Sequence, residues 1–227
     1  MKRYFLFLIA IASLASCRKD EKPYPYQYNL VADYVPTTVG TTWKYGISAT
    51  YDPSRYLDSM TLTMTGDQRT MDGKTFAVAT ASSPAFNGFD KFYFYKDNAK
   101  YKTYSTILSD FYTGTEFTVP FMMNGSVLNR DTSFYVPNPD GSKPPMWQIE
   151  TSTDLVPQTV TIGDKTYTNC LDSYVELNKR YDGTDPQYIG TYQVFDIYEF
   201  LFAPNVGIVK ELNRYEVITL MSSNIKP

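Results

Sequence analysis

From Trp43 onward the chain alternates apolar and polar residues with a period of two, and this limits the folds open to it more than any other feature. Trp43, Tyr45, Ile47, Ala49 and Tyr51 fall on one side, with Thr42, Lys44, Ser48 and Thr50 on the other. In a strand successive side chains point to opposite faces, so such a segment buries one face and wets the other. Met60, Leu62 and Met64 alternate with threonines, Met71-Asp72-Gly73-Lys74 supplies a turn, and Phe76, Val78 and Thr80 continue the pattern as a hairpin. Phe92–Tyr95 and Tyr101–Tyr104, flanking Asp97-Asn98, read as a second hairpin, and Thr159–Ile162 with Tyr167–Leu177 around Gly163-Asp164 as a third. Tyr188 to Phe202 becomes apolar on both faces toward its end, as in a strand covered on both sides. Ala203-Pro204-Asn205 then turns the chain into a last hairpin of Val206–Lys210 with Tyr215–Met221. No long window carries the three-to-four spacing of an amphipathic helix. The expected fold is all-β, a strongly curved antiparallel sheet of half-barrel or sandwich-like form, with at most a short helix.

Between residues 110 and 157 the pattern changes, for six of the fourteen prolines lie there. Proline cannot donate to a sheet ladder, so this stretch is expected to be a loop-rich insertion without continuous central strands. Its Phe121, Met122, Met123 and Trp147 need burial, either as a flap over a sheet edge or as a lid over an apolar ligand.

The N-terminus has a different logic. Met1-Lys2-Arg3 is a short positive region, Tyr4 to Ala12 is apolar, and Ser13-Leu14-Ala15-Ser16 ends in small residues before Cys17. That arrangement is an export leader over residues 1–16, and its apolar part falls short of the ~20 residues a permanent membrane helix needs. Residues 17–35 mix Arg18, Lys19, Asp20, Glu21 and Lys22 with alternating Pro and Tyr, which suits an extended tether. A single all-β domain is expected over 36–227.

Leu14-Ala15-Ser16-Cys17 resembles the lipobox of bacterial lipoproteins, which implies that Cys17 is lipidated and becomes the first residue of the mature chain. The partner implied is a membrane, through the N-terminal lipid. The implied location is the bacterial cell envelope, anchored to the outer membrane, with periplasmic and surface-exposed orientations both open. An acyl chain contributes ~0.8 kcal/mol per buried methylene, so lipid rather than protein surface would decide attachment.

Composition narrows the chemistry. The 227 residues contain no histidine, so Ser-His-Asp and Cys-His catalysis, His-ligated metals and an imidazole switch are excluded. With 21 Lys+Arg against 24 Asp+Glu and no basic cluster, nucleic acid is not an expected partner. If Cys17 is acylated, Cys170 is the remaining thiol; it cannot form an internal disulfide, and its strand-like setting reads as that of a small hydrophobe. No phosphate loop, nucleophile elbow or calcium loop occurs, and no cofactor, metal or catalytic residue is expected. Asp196 and Glu199 are three apart in an apparent strand and so face opposite ways, unlike a cooperating carboxylate pair.

Two separated segments carry a further likeness. Val35-Pro36-Thr37-Thr38-Val39-Gly40-Thr41-Thr42-Trp43-Lys44-Tyr45 and Phe202-Ala203-Pro204-Asn205-Val206-Gly207-Ile208-Val209-Lys210 resemble the opening and closing strands of a large group of secreted bacterial lipoproteins, with Asn205 where the group has glycine. The resemblance implies a curved antiparallel sheet, an open half-barrel like those of periplasmic lipoprotein carriers. It brings no activity to carry over. The function expected is a non-enzymatic module binding an apolar molecule or envelope partner on a concave sheet, with Phe121, Met122, Met123 and Trp147 as candidate ligand contacts. The 21 tyrosines leave open a glycan- or protein-binding adhesion face, and a carboxylate-based hydrolase is the third reading.

Overall fold

The structure is a computed structural model that describes residues 32–71, 73–82, 91–96, 102–105, 119–123, 132–136, 141, 146–181 and 183–227. The leader, Cys17 and the tether up to residue 31 lie outside the described residues. Twelve strands follow one another: β1 (Thr42–Ala49), β2 (Asp52–Met71), β3 (Lys74–Ser82), β4 (Lys91–Phe94), β5 (Lys102–Ser105), β6 (Val119–Met123), β7 (Thr132–Val136), β8 (Trp147–Ile162), β9 (Lys165–Arg180), β10 (Tyr192–Ala203), β11 (Gly207–Leu212) and β12 (Glu216–Asn224). The described residues contain no helix.

Ten strands form one antiparallel sheet in the order β4-β3-β2-β1-β12-β11-β10-β9-β8-β7, curled into a half-barrel, and β5 pairs with β6 as a separate ribbon. Every neighbouring pair in the large sheet is consecutive along the chain except β1 with β12, so the first and last strands of the domain meet in its middle. The curl follows from the alternation: a sheet with one apolar face buries it by folding that face onto itself. Trp43 lies opposite Leu62, Tyr45 opposite Met60 and Leu220, and Ile47 opposite Ile218, all on the inner face and all buried. Phe200, Phe202, Val175 and Leu177 continue the same face on the other half of the sheet. Trp43 and Tyr45 also reach over β12, donating to the carbonyls of Val206 and Ile208.

The third and last hairpins stand as expected, with β8–β9 longer in both directions. Four expectations need correction. Phe92–Tyr95 and Tyr101–Tyr104 do not form a hairpin: β4 pairs with β3, while β5 leaves the sheet to pair with β6. The prolines of 110–157 do not exclude a long strand either. β8 starts at Trp147 and runs through Pro157, which sits where the ladder breaks between Asp154 and Gln158 and needs no amide donor; Pro120 lies beside the irregularity in the β5–β6 ribbon. Finally, Tyr34 and Val35 belong to the core rather than to a tether, since both are buried and the Tyr34 hydroxyl donates to the Asn169 carbonyl at 2.8 Å. Tyr51, assigned to the inner side of the first strand, lies beyond its end and is exposed.

Candidate functional site: an open groove beside β10

β10 pairs with β9 along its whole length, from Tyr192 opposite Arg180 to Phe202 opposite Leu171. On its other side β11 covers it only from Glu199, opposite Leu212, to Ala203. The reason is local. The Asn213 side-chain carbonyl accepts the amides of Tyr215 and Glu216 at 2.9 and 2.8 Å, and the Asn213 amide donates to the Glu216 carbonyl at 3.0 Å. An Asn that binds its own following backbone in this way ends a strand and starts a turn. β11 therefore stops at Leu212, and its pairing with β10 reaches no further than Glu199.

The gap is a groove of about 420 Å³ between Val194–Glu199 of β10 and Leu212–Arg214. Its β10 wall is apolar and open to solvent, with Val194 55%, Phe195 43% and Ile197 47% exposed. The sheet register slips between Val194 and Asp196, making Phe195 the extra residue of a bulge. The Phe195 ring meets Trp147 edge-on at 5.3 Å between centroids, and the Lys179 ammonium lies 5.9 Å from the Trp147 ring centre. Asp196, only 5% exposed, accepts the Ile197 amide at 2.9 Å.

On the outer face beside the groove several carboxylates stand near Lys210, and Arg214 lines the groove itself. Glu199 lies opposite Tyr174, one diagonal step from Asp172, and Tyr174 donates its hydroxyl to Asp172 Oδ2 at 2.9 Å. Asp172 is 4% exposed, and its Oδ1 is buried with no hydrogen-bond partner among the described residues. Burial lifts the Asp172 carboxyl above the ordinary carboxylate range, with the charge of Asp154 adding to the rise and hydrogen bonds from Tyr174 and Gln158 and the charge of Lys210 opposing it. Glu199 is raised by burial first and by Asp172 second, with Lys210 opposing. Among the described residues Glu150, Asp154, Asp172, Glu176 and Glu199 have no ion pair.

Of the candidate contacts read from the sequence, Trp147 stands at this site through Phe195. Phe121, Met122 and Met123 lie on β6, with their side chains outside the described residues. Asp196 and Glu199 do face opposite ways, opposite Leu177 and Tyr174 respectively. Cys170 is fully buried, and burial pushes its thiol up to about 11, so it has the environment of a packed hydrophobe and not of a nucleophile. On the inner face, the crevice between Tyr34, Trp43, Tyr45 and Phe202 holds about 10 Å³, room for no more than one water. The groove was not visible in the sequence, because it exists only where β11 ends against β10. The one local signal was Asn213, a turn former directly after an apolar strand.

No family model matches the chain, and no curated protein matches it. A crystal structure of a "putative lipoprotein" from Parabacteroides distasonis ATCC 8503 is similar to it, at 13% identity and a TM-score of 0.47, covering 85% of this chain and 99% of that one.

Proposed function

We propose that this chain is a lipid-anchored, non-enzymatic binding module of a bacterial envelope, held to the outer membrane through Cys17, whose groove beside β10 receives an apolar ligand or partner. The observation that carries the reading is the exposed wall of Val194, Phe195 and Ile197 in an open groove, continued by the Trp147–Phe195 pair. Soluble surfaces seldom group large apolar side chains in a concavity without an occupant. The lipobox-like Leu14–Cys17 supports the anchor.

The two ends of β10 have different tasks in this reading. The chain comes in at its far end, where the Asp33 amide donates to Asn205 Oδ1 at 3.0 Å and the Asn205 amide donates to the Asp33 carbonyl. At ~3.3 Å per residue, the groove is roughly 30 Å from that point. The absence of histidine and the buried, high-pKa thiol support a binder over an enzyme.

A second reading keeps its place because Tyr51 and Tyr215, both strongly exposed, flank the same end of the sheet, where the Thr50 amide donates to the Tyr215 carbonyl. In that reading the module grips a glycan or protein through these rings.

Two measurements test the proposal. A Cys17→Ala chain is expected to leave the membrane fraction, and fractionation identical to the parent would remove the anchor. The neutral apolar dye Nile red is expected to bind the parent and to lose about tenfold in affinity with Ile197→Asp, by removal of apolar contact area. Undiminished dye binding would remove the groove as the site, and loss of glycan or protein binding in Tyr51→Ala and Tyr215→Ala chains would favour the second reading.

A further inference from the structure

We infer that the loop joining β9 to β10 binds a carboxylated sugar, with the carboxylate on the Arg180 guanidinium and the sugar ring against Tyr188. The site stands on residues outside the groove walls and does not depend on the groove being occupied.

Arg180 supplies the charge. It is the last residue of β9, half-buried, and its backbone amide donates to the Met146 carbonyl at 2.8 Å. Its Nε is buried without a hydrogen-bond partner, and the side chain enters no ion pair among the described residues. Buried cationic donors are ordinarily paired, because leaving them unmade forfeits hydration with no return. The space beside the guanidinium is open. A Cβ built on Gly190 would have Arg180 Nη2, at 3.5 Å, as its one neighbour within 4 Å beyond the adjoining residues, and at φ 80° that position disfavours any side chain that would fill the space. The guanidinium therefore lies beside bare backbone, and its planar fork matches the two oxygens of a carboxylate. The loop's Asp185 is turned to its own backbone, accepting the Gln187 amide at 3.0 Å.

The loop supplies a fixed ring. The Tyr181 ring lies over Gly183, whose place no larger residue could take without displacing it, and the Tyr181 hydroxyl accepts the Asp185 amide at 3.4 Å. Tyr181 and Tyr188 meet edge-on at 5.9 Å between ring centroids. Thr191 donates its amide and its hydroxyl to the Tyr188 carbonyl at 2.9 and 2.7 Å, and the Tyr181 amide closes the loop on the Thr191 carbonyl. These contacts hold Tyr188 two residues before Gly190 and still leave it 40% exposed. A rigid tyrosine offers an apolar face and a polar tip at little ordering cost, which suits the alternating C–H and hydroxyl groups of a sugar. A bare anion would use Arg180 and leave Tyr188 idle, and a neutral sugar would do the reverse. A carboxylated sugar uses both.

The test uses the full chain and a short oligogalacturonate, beside its methyl ester, which keeps the rings without the charge, and inorganic phosphate, which keeps the charge without the rings. By calorimetry the acid is expected to bind about tenfold more tightly than either control. Arg180→Gln is expected to lose about tenfold and Arg180→Lys roughly threefold, since the ammonium keeps the charge but not the fork. Tyr188→Ala is expected to lose about fivefold, with the parent's circular dichroism retained. In the parent, the acid is expected to slow hydrogen exchange in the loop over residues 183–191, a readout that needs no variant. Equal binding of the methyl ester or of phosphate would overturn the inference, as would no binding of the acid, protection confined to another part of the chain, or undiminished binding by Arg180→Gln. Ile197→Asp is expected to leave acid binding unchanged, and its loss there would move the sugar into the groove and overturn this site. Nile red binding that depends on Ile197, with no response to the acid, would leave the groove standing and remove this inference alone.

Discussion

The Trp43 indole donates to the Val206 carbonyl at 2.6 Å, joining residues 163 apart in the chain. Trp43 sits on β1 and Val206 in the β10–β11 turn, with β12 lying between their strands. The opening segment Val35–Tyr45 and the closing segment Phe202–Lys210 are thus one structural unit: a ring from the first fixes the turn of the second.

Replacing Trp43 by Phe is expected to lower stability by about 2–3 kcal/mol. The substitution leaves the Val206 carbonyl without this donor and removes part of a buried ring. Denaturant unfolding at constant m-value measures it, and a loss below about 0.5 kcal/mol would mean that the bond adds little.

The same turn explains the asparagine at position 205. Asn205 adopts φ 59°, a left-handed conformation that asparagine tolerates better than most residues. Gly207 has no such substitute: its φ is 99°, and an added Cβ would lie 3.3 Å from Trp43 Nε1 and 3.5 Å from Pro36 Cδ. Asn205→Gly is expected to change stability by under about 0.5 kcal/mol, whereas Gly207→Ala costs about 2 kcal/mol or more. Thermal unfolding of the two variants separates them, and equal effects would refute the assignment.

Stability is expected to fall as pH rises from about 5 to 8. Glu211 lies on the inner face opposite Phe200 and Ile218, near Tyr45 of β1 and Glu216 of β12, and burial followed by the Glu216 charge pushes its carboxyl up to about 8. The folded chain therefore holds this proton more tightly than the unfolded one. The stabilisation is complete below the unfolded value near 4.5, declines above it, and is lost as pH passes through about 8. The loss is on the order of 3 kcal/mol, and Glu211→Gln should flatten most of the slope; the smaller upward shifts of Asp172 and Glu199 leave a residue of the same sign. A Glu211→Gln profile as steep as the parent's would place the dependence elsewhere.

The Cys170 thiol is expected to resist an aromatic disulfide reagent at pH 8 in the folded chain and to react within seconds once denaturant is added. Its burial and its pKa of about 11 leave little thiolate and no access. Rapid reaction under native conditions would contradict its place in the core.

Strand existence was legible from alternation alone where one face is apolar and the other polar: Met60–Met64, Phe76–Thr80 and, but for Tyr215, Tyr215–Met221 lie in strands. Partner choice was less so. Phe92–Tyr95 and Tyr101–Tyr104 flank a plausible turn, yet β5 pairs with β6, because alternation marks a strand's faces and leaves its edges unspecified. Pro157 inside β8 was unreadable for a related reason, since a proline harms a ladder only where an amide is required there, and a bulge removes that requirement.

Side-chain order along the chain, then, determined an all-β body with one buried face, and the residues of its N-terminus marked an expected export leader and an expected lipid site. The tertiary structure alone decided that β1 closes against β12 and that the pairing of β11 with β10 ends at Glu199. These are properties of backbone hydrogen bonds between distant segments. Every residue except proline carries the same amide and carbonyl groups, so the sequence labels the faces of a strand but not the neighbour that satisfies each edge.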